Sequence, residues 1–331
     1  MPLVSRKNTR SIAIKPVTKD TIQNQKKGRD SSTYEWLKIN GFEGKPGTFC
    51  FTPTQPNNQG KLFLGVEEAK GPGNDIWDLA GLPKQLPKGR YYIDRRLSPE
   101  MATRAATGWA IGEYQFSKYK KYSKCEAELV WPQGADKAEV NRLASGIAIT
   151  RDLINLPAND LGPQDLADAA KKIARTHKAS ITVIKGKDLL TKNYPSIHAV
   201  GRASSRPPCL IDLRWGKTSS PKITLVGKGV CFDSGGLDIK PASGMLNMKK
   251  DMGGAAQVLG LAHMIMDSGL SVRLRVLIPA VENAISGDAF RPRDVLQTRK
   301  GLTVEVGNTD AEGRLILSDA LTEASKEKPE M

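Results

Sequence analysis

The sequence predicts an α/β protein in two parts: a small N-terminal α/β domain over residues 1–139 and an α/β domain over residues 140–331 with a mostly parallel central sheet. Three observations carry this expectation. From Lys137 onward, apolar β-branched runs alternate with helix-start signals, the rhythm of parallel strands covered by helices. Upstream, residues 31–130 mix short apolar runs with turn chemistry such as Gly71-Pro72-Gly73-Asn74 and Leu86-Pro87-Lys88-Gly89. The length of 331 residues, with 39% apolar and 26% charged side chains, suits two globular domains with buried cores.

The elements of the second part follow in order. A helix over residues 137–154 ends at Asn155-Leu156-Pro157, and Pro163-Gln164-Asp165 opens a second helix that runs to about His177. Strands are expected at 179–184, 197–200, 209–213 and 223–230, then a helix at 253–266, strands at 272–280 and 302–306, and a helix starting near Leu315. In the first part, residues 109–124 interleave Trp109, Tyr114, Phe116, Tyr119 and Tyr122 with lysines. Such a stripe is either a nucleic-acid face or core on one side with solvated lysines on the other.

The formal net charge is +15, spread as 24 basic against 15 acidic residues in 1–150 and 26 against 20 in 151–331. A field of that sign attracts polyanions without specificity, so a nucleic-acid partner is a weakly supported expectation. Cys50, Cys125, Cys209 and Cys231 stand far apart and give neither a zinc ribbon nor a disulfide framework. His177, His198 and His263 are also scattered, which disfavours a His-rich zinc site or a Ser-His-Asp triad. The basic first nineteen residues weakly echo a transit peptide, and a frayed terminus is the simpler reading. With no apolar run of membrane length and no secretory core, a soluble cytoplasmic protein without membrane contact is expected.

Chemistry concentrates in three blocks. The strand expected at 223–230 continues as Gly227-Lys228-Gly229-Val230-Cys231-Phe232-Asp233-Ser234-Gly235-Gly236, placing Lys228 and Asp233 where a strand breaks into a glycine-rich turn. Open α/β sheets put ligands there, and the spacing is not that of a phosphate loop. Lys249-Lys250-Asp251-Met252-Gly253-Gly254 puts a second carboxylate ahead of a helix. Asn308-Thr309-Asp310-Ala311-Glu312-Gly313-Arg314 puts Asp310 and Glu312 on the same side if extended. Four carboxylates beside glycines form a plausible oxygen-rich site for two divalent cations, whose charge offsets their repulsion.

These blocks, 226–240, 248–256 and 308–315, resemble the signatures of the leucyl aminopeptidase (cytosol aminopeptidase) family of two-metal peptidases. Asn308-Thr309-Asp310-Ala311-Glu312-Gly313-Arg314-Leu315 matches the family signature outright, and the likeness extends upstream through Arg151-Asp152-Leu153-Ile154-Asn155 and Pro157-Ala158-Asn159-Asp160. The resemblance implies a metalloexopeptidase that removes the N-terminal residue, leucine and others, from peptides with a free N-terminus. It implies that Lys228, Asp233, Asp251 and Glu312 bind a tighter metal ion and Asp233, Asp310 and Glu312 an exchangeable one, manganese or zinc. Lys240 would polarise the scissile carbonyl, and Arg314 would hold a bicarbonate ion that serves as general base. Met248 and Asn308 would contact substrate, Met248 having a core methionine as its plainer reading. A homo-hexamer is implied for the full-length protein.

Two departures from the family pattern stand out. Arg293, in Arg291-Pro292-Arg293-Asp294-Val295, occupies a place where the family usually has glycine. The family's catalytic domain also continues well beyond its Asn-Thr-Asp-Ala-Glu-Gly-Arg block, so a C-terminally truncated domain with an exposed sheet edge and poor solubility is expected. The alternatives are a catalytically impaired product, a basic DNA-binding protein that kept the fold, and a metallophosphatase or nuclease. The last leaves Lys228 and Arg314 unexplained.

Overall fold

The short apolar runs of the first part become strands of one sheet. The structure, a computed structural model, describes residues 3–25, 31–54, 60–67 and 78–331 and separates into Met1–Ala144 and Ser145–Met331. The turn expected at Gly71-Pro72-Gly73-Asn74 lies outside the described residues. In chain order the first unit comprises β1 (Leu3–Val4), β2 (Ile12–Val17), α1 (Lys19–Gln25), α2 (Ser31–Ile39), β3 (Phe49–Phe51), β4 (Lys61–Gly65), β5 (Gly89–Ile93), α3 (Pro99–Gly112) and β6 (Ala127–Val130).

Spatial order in its sheet is β1-β6-β5-β2-β4-β3, with every pairing parallel except β3 with β4. α3 begins where Ser98 caps the Met101 N–H at 3.2 Å and Pro99 takes the first turn, where a missing N–H costs nothing. Its buried face carries Trp109 against Ile14, Leu62, Leu64, Tyr91 and Leu129. The aromatic stripe therefore divides: Trp109 is core, while Tyr119 and Tyr122 are exposed beside Lys118 and Lys120.

The second part contains α4 (Lys137–Asn155), α5 (Pro163–His177), β7 (Ser180–Lys185), α6 (Asp188–Thr191), α7 (Pro195–Gly201), β8 (Cys209–Trp215), β9 (Lys222–Val226), β10 (Gly229–Asp233), α8 (Ala242–Met245), α9 (Gly253–Ser268), β11 (Arg273–Asn283), β12 (Val295–Gln297), β13 (Thr303–Glu305) and α10 (Glu312–Ser325). β9 and β10 both run parallel to β11, and β8 is antiparallel to β11 and to β7. β7, β9, β10 and β11 thus share one direction and β8 is reversed. Residues alternate between two faces. Cys209, Ile211, Cys231, Val276 and Ile278 pack under α5 and α9, whereas Leu210, Val230, Leu277 and Val281 pack with Ile197 and Val200 of α7 and Leu315 and Ile316 of α10.

The structure corrects two expectations and adds one contact. The run at 197–200 is not a strand but part of α7: Pro195 starts the helix, and the buried Asp319 carboxylate accepts hydrogen bonds from the N–H groups of Ser196 (2.8 Å) and Ile197 (3.3 Å). A short apolar run carries no periodicity that separates the two states, so this tertiary cap decides. The strand expected at 223–230 is two strands on one edge of β11, interrupted at Gly227-Lys228. A side chain at Gly227 would lie 2.8 Å from the Gly254 carbonyl oxygen, so only glycine admits the start of α9 there. His177 and His263, remote in sequence, hydrogen-bond at 2.9 Å, and Ser145 Oγ lies 2.8 Å from the other His263 nitrogen. Among the described residues, no helix is long and apolar enough to cross a membrane.

Candidate metal centre

The break between β9 and β10 lifts Lys228 out of the ladder, and the carboxyl end of β10 delivers Asp233. Asp251 comes from a 3-10 turn, Met248–Met252, that leads into α9, and the Ala255 N–H anchors that helix start by donating to the Lys228 carbonyl at 2.9 Å. Thr309–Ala311 forms a second 3-10 turn leading into α10, so Asp310 lies on the turn and Glu312 is the first residue of the helix. Thus strand ends and helix starts from three chain segments converge, as ligand sites in open α/β sheets do.

Lys228 Nζ lies 2.7 Å from Asp251 and 2.8 Å from Glu312. Lys240 Nζ lies 3.0 Å from Asp233 and also pairs with Asp310. Glu312 is 1% exposed, and its Oε2 has no hydrogen-bond partner among the described residues. Leaving a buried carboxylate oxygen unpaired is costly, so this orphan marks a place for a cation. One oxygen each from Asp233, Asp310 and Glu312 lie within 4.8 Å of one another. Ligands on opposite sides of a divalent ion stand about 4.2 Å apart for bonds of about 2.1 Å and about 5 Å apart for bonds of about 2.5 Å, so the three oxygens are spaced on the scale of one ion's ligands.

The protonation preferences follow from the same contacts. Burial alone disfavours the Lys228 ammonium, yet its bonds to Asp251 and Glu312 outweigh that and hold its pKa above the usual lysine range. The fall in pKa that a lysine ligand needs must therefore come from cation charge. Burial likewise opposes the Lys240 ammonium, and Asp310 and Asp233 again outweigh it, so Lys240 is firmly cationic. Burial raises the Glu312 carboxyl above the usual range even though Lys228 pulls it down.

Supporting residues that sequence reasoning missed fix these groups. Asn283, at the end of β11 and 1% exposed, donates from Nδ2 to Asp233 Oδ1 (2.9 Å) and to the Thr309 carbonyl (3.1 Å), tying β10 to the Asp310 turn. Asp238 accepts from the Thr309 N–H at 2.7 Å, and Thr309 Oγ1 lies 2.6 Å from the Gly235 carbonyl. Gly235, with φ +88°, is the clearest conformational requirement in that loop: a side chain there would also lie 2.5 Å from the Asp238 carbonyl oxygen. The one available signal was that Asn283 lies just past the apolar run 276–281.

The remaining candidates are placed as follows. Asn308 accepts the Asp310 N–H at 2.7 Å and so caps the turn. Met248 is half-buried at the start of the 3-10 turn carrying Asp251, and Arg314 is exposed in the first turn of α10. Arg293 has φ +73°, a left-handed conformation that suits glycine, and pairs with Glu305.

Comparison with known proteins places the chain in a family. Residues 148–331 match the cytosol aminopeptidase family, catalytic domain, and residues 12–132 match the M17 aminopeptidase N-terminal domain. A probable cytosol aminopeptidase of Exiguobacterium sibiricum is 36% identical over 311 residues, covering 90% of this chain and 65% of that protein. Peptidase B of Pectobacterium carotovorum is 40% identical over 236 residues, covering 68% of this chain and 54% of that protein. The chain therefore spans less than two thirds of either relative. The crystal structure of a cytosol aminopeptidase from Coxiella burnetii superposes with a TM-score of 0.90 at 48% identity, covering 99% of this chain and 71% of that one. The bottromycin maturation enzyme BotP, in a complex with Mn, superposes with a TM-score of 0.83 at 28% identity, covering 96% and 70%. On the strength of its catalytic-domain match and its α/β fold, the chain belongs to the cytosol aminopeptidase family.

Proposed function

We propose that this chain carries the centre of a metal-dependent aminopeptidase that removes the N-terminal residue from peptides. The observation that carries the reading is the buried, unpartnered Glu312 Oε2 within a cluster of four carboxylates and two lysines. Lys228, Asp233, Asp251 and Glu312 would hold the tighter cation, and Asp233, Asp310 and Glu312 the exchangeable one. Two divalent cations there would polarise the scissile carbonyl and make a nearby water more acidic. Manganese is the first metal to try, because BotP was solved with Mn, and zinc is the second.

The chain's own groups supply the rest. Lys240, cationic and 14% exposed, is placed to donate a hydrogen bond to an oxygen that gains negative charge near Asp233 and Asp310. Asn283 keeps Asp233 turned toward the centre through its Nδ2 bond. Arg314, with a guanidinium at a helix start, would hold bicarbonate through its charge and the α10 N-terminus together. Met248 and Asn308 would border the bound peptide. A cytoplasmic location and a homo-hexameric assembly belong to the same proposal, supported by the names of the relatives and by the resemblance.

The test is release of p-nitroaniline from an N-terminal leucine anilide with added Mn²⁺, on this chain and on one extended to the length of the relatives, after calorimetry has confirmed metal uptake. Release by the extended form, lost in Asp310→Asn and Lys240→Met, is expected. A metal-loaded extended form that releases nothing would overturn the reading.

A further inference from the structure

The first unit contains a ligand-sized cavity of about 780 Å³. Its wall comes from three segments: Lys7 beyond β1, Tyr92 to Leu97 at the end of β5 and beyond, and Val130 to Gly134 at the end of β6 and beyond. β1 is parallel to β6 and β6 to β5, so all three segments leave the same carboxyl edge of the sheet. The winding direction changes next door, between β2 and β5, since the chain passes from β2 to β4 on one side and from β5 to β6 on the other. The cavity thus occupies the carboxyl edge of the sheet, the edge on which open α/β sheets bind ligands.

Charge selects the kind of ligand. Lys7, Arg95 and Arg96 face one acidic residue, Asp94, whose carboxylate already lies 4.0 Å from Lys15. Lys7 Nζ sits 3.1 Å from the Tyr92 ring centroid, which holds that ammonium against the wall. Arg95 and Arg96 are exposed, and neither guanidinium has a hydrogen bond or ion pair among the described residues. Pro99, at the start of α3, also lines the cavity, so the positive end of a 14-residue helix adds to the field. Size selects further: the volume lies in the range of pockets for drug-sized ligands, roughly 300–1,000 Å³, and a lone phosphate would leave most of it unfilled. The half-buried Trp131 and Tyr92 supply an apolar surface for a ring.

We propose that this cavity binds a free nucleoside polyphosphate of about the size of ADP, with phosphates on Lys7, Arg95 and Arg96. The proposal is independent of the peptidase reading and is tested without it. Titration calorimetry on the full chain with ADP, inorganic phosphate and a short single-stranded DNA separates the sources of a phosphate. ADP should bind at least about tenfold more tightly than inorganic phosphate, and Arg95→Ala/Arg96→Ala should weaken ADP at least about tenfold with an unchanged melting temperature. Lys7→Ala, at a different strand exit, should weaken it as well. No ADP binding at millimolar concentration, equal affinity for phosphate, binding of the DNA alone, or ADP affinity indifferent to all three substitutions would each overturn the proposal.

Discussion

Gly313→Ala adds one methyl group at the second residue of α10. The backbone there is helical and not left-handed, so alanine is conformationally acceptable and by helix propensity would stabilise by up to about 1 kcal/mol. The obstacle is a single flexible side chain: the new Cβ would lie 2.6 Å from Lys228 Cε, 2.9 Å from its Nζ and 3.0 Å from its Cδ. Ordinary contact begins near 3.4 Å, so the end of Lys228 must shift by roughly 0.4–0.8 Å, which disturbs its contacts with Asp251 and Glu312 at 2.7 and 2.8 Å. Metal sites tolerate displacements of about 0.2 Å in ligand distance. The expected outcome is a melting temperature equal to or above that of the parent, with Mn²⁺ affinity lowered about 10- to 100-fold. Calorimetric titration of the apoprotein and a thermal melt check both halves. Parental Mn²⁺ affinity would refute the placement of Lys228 in the centre. A large drop in melting temperature would show that the helix start yields, not the lysine.

Three further outcomes follow from other contacts. Asn283→Ala removes two buried hydrogen bonds and leaves the Thr309 carbonyl short of a donor, so urea denaturation should show a loss of about 2 kcal/mol; an unchanged midpoint would contradict the assigned role. Arg293→Gly should stabilise by about 0.5–1 kcal/mol, because a left-handed non-glycine residue costs about 1–2 kcal/mol and glycine's extra unfolded-state freedom returns only part of that; Arg293→Ala should bring no gain. Burial pushes the carboxyls of Glu323 and Glu327 up, but Arg275 and Arg299 for Glu323, and Arg214 and Arg275 for Glu327, outweigh it and leave both below the usual range. A depressed folded pKa gives stability that is present above the unfolded value, about 4.3, and lost as pH falls through the folded one. Urea midpoints should therefore hold from pH 7 to about 5 and fall below about 4, with a shallower acid slope in Glu323→Gln/Glu327→Gln; an equal slope would show that these pairs do not drive acid unfolding.

Much of the second unit was legible because its signals are local. Pro163 fixes a helix start, α5 runs from there to His177 as read, and the glycine-flanked carboxylates at 233, 251, 310 and 312 announce a site through residue type and spacing alone. Less was legible where partners are remote. α7 looks like a strand until Asp319, more than a hundred residues away, caps it. Asn283 reads as an unremarked polar residue after a strand until parallel pairing sets it opposite Asp233. Arg293 reads as a substitution in a family pattern, and only its backbone shows why glycine suits that position.

The sequence by itself determined the α/β class, the starts of α4, α5 and α9 and the identity of the groups that gather at the candidate centre, because propensity, capping and hydrophobic period act within a few residues. Tertiary structure decided which lysine faces which carboxylates, that one Glu312 oxygen is buried without a partner among the described residues, and that the exits of β1, β5 and β6 enclose a basic cavity. Those are facts of distance between segments far apart in the chain, set by strand order and burial, and local patterning contains neither.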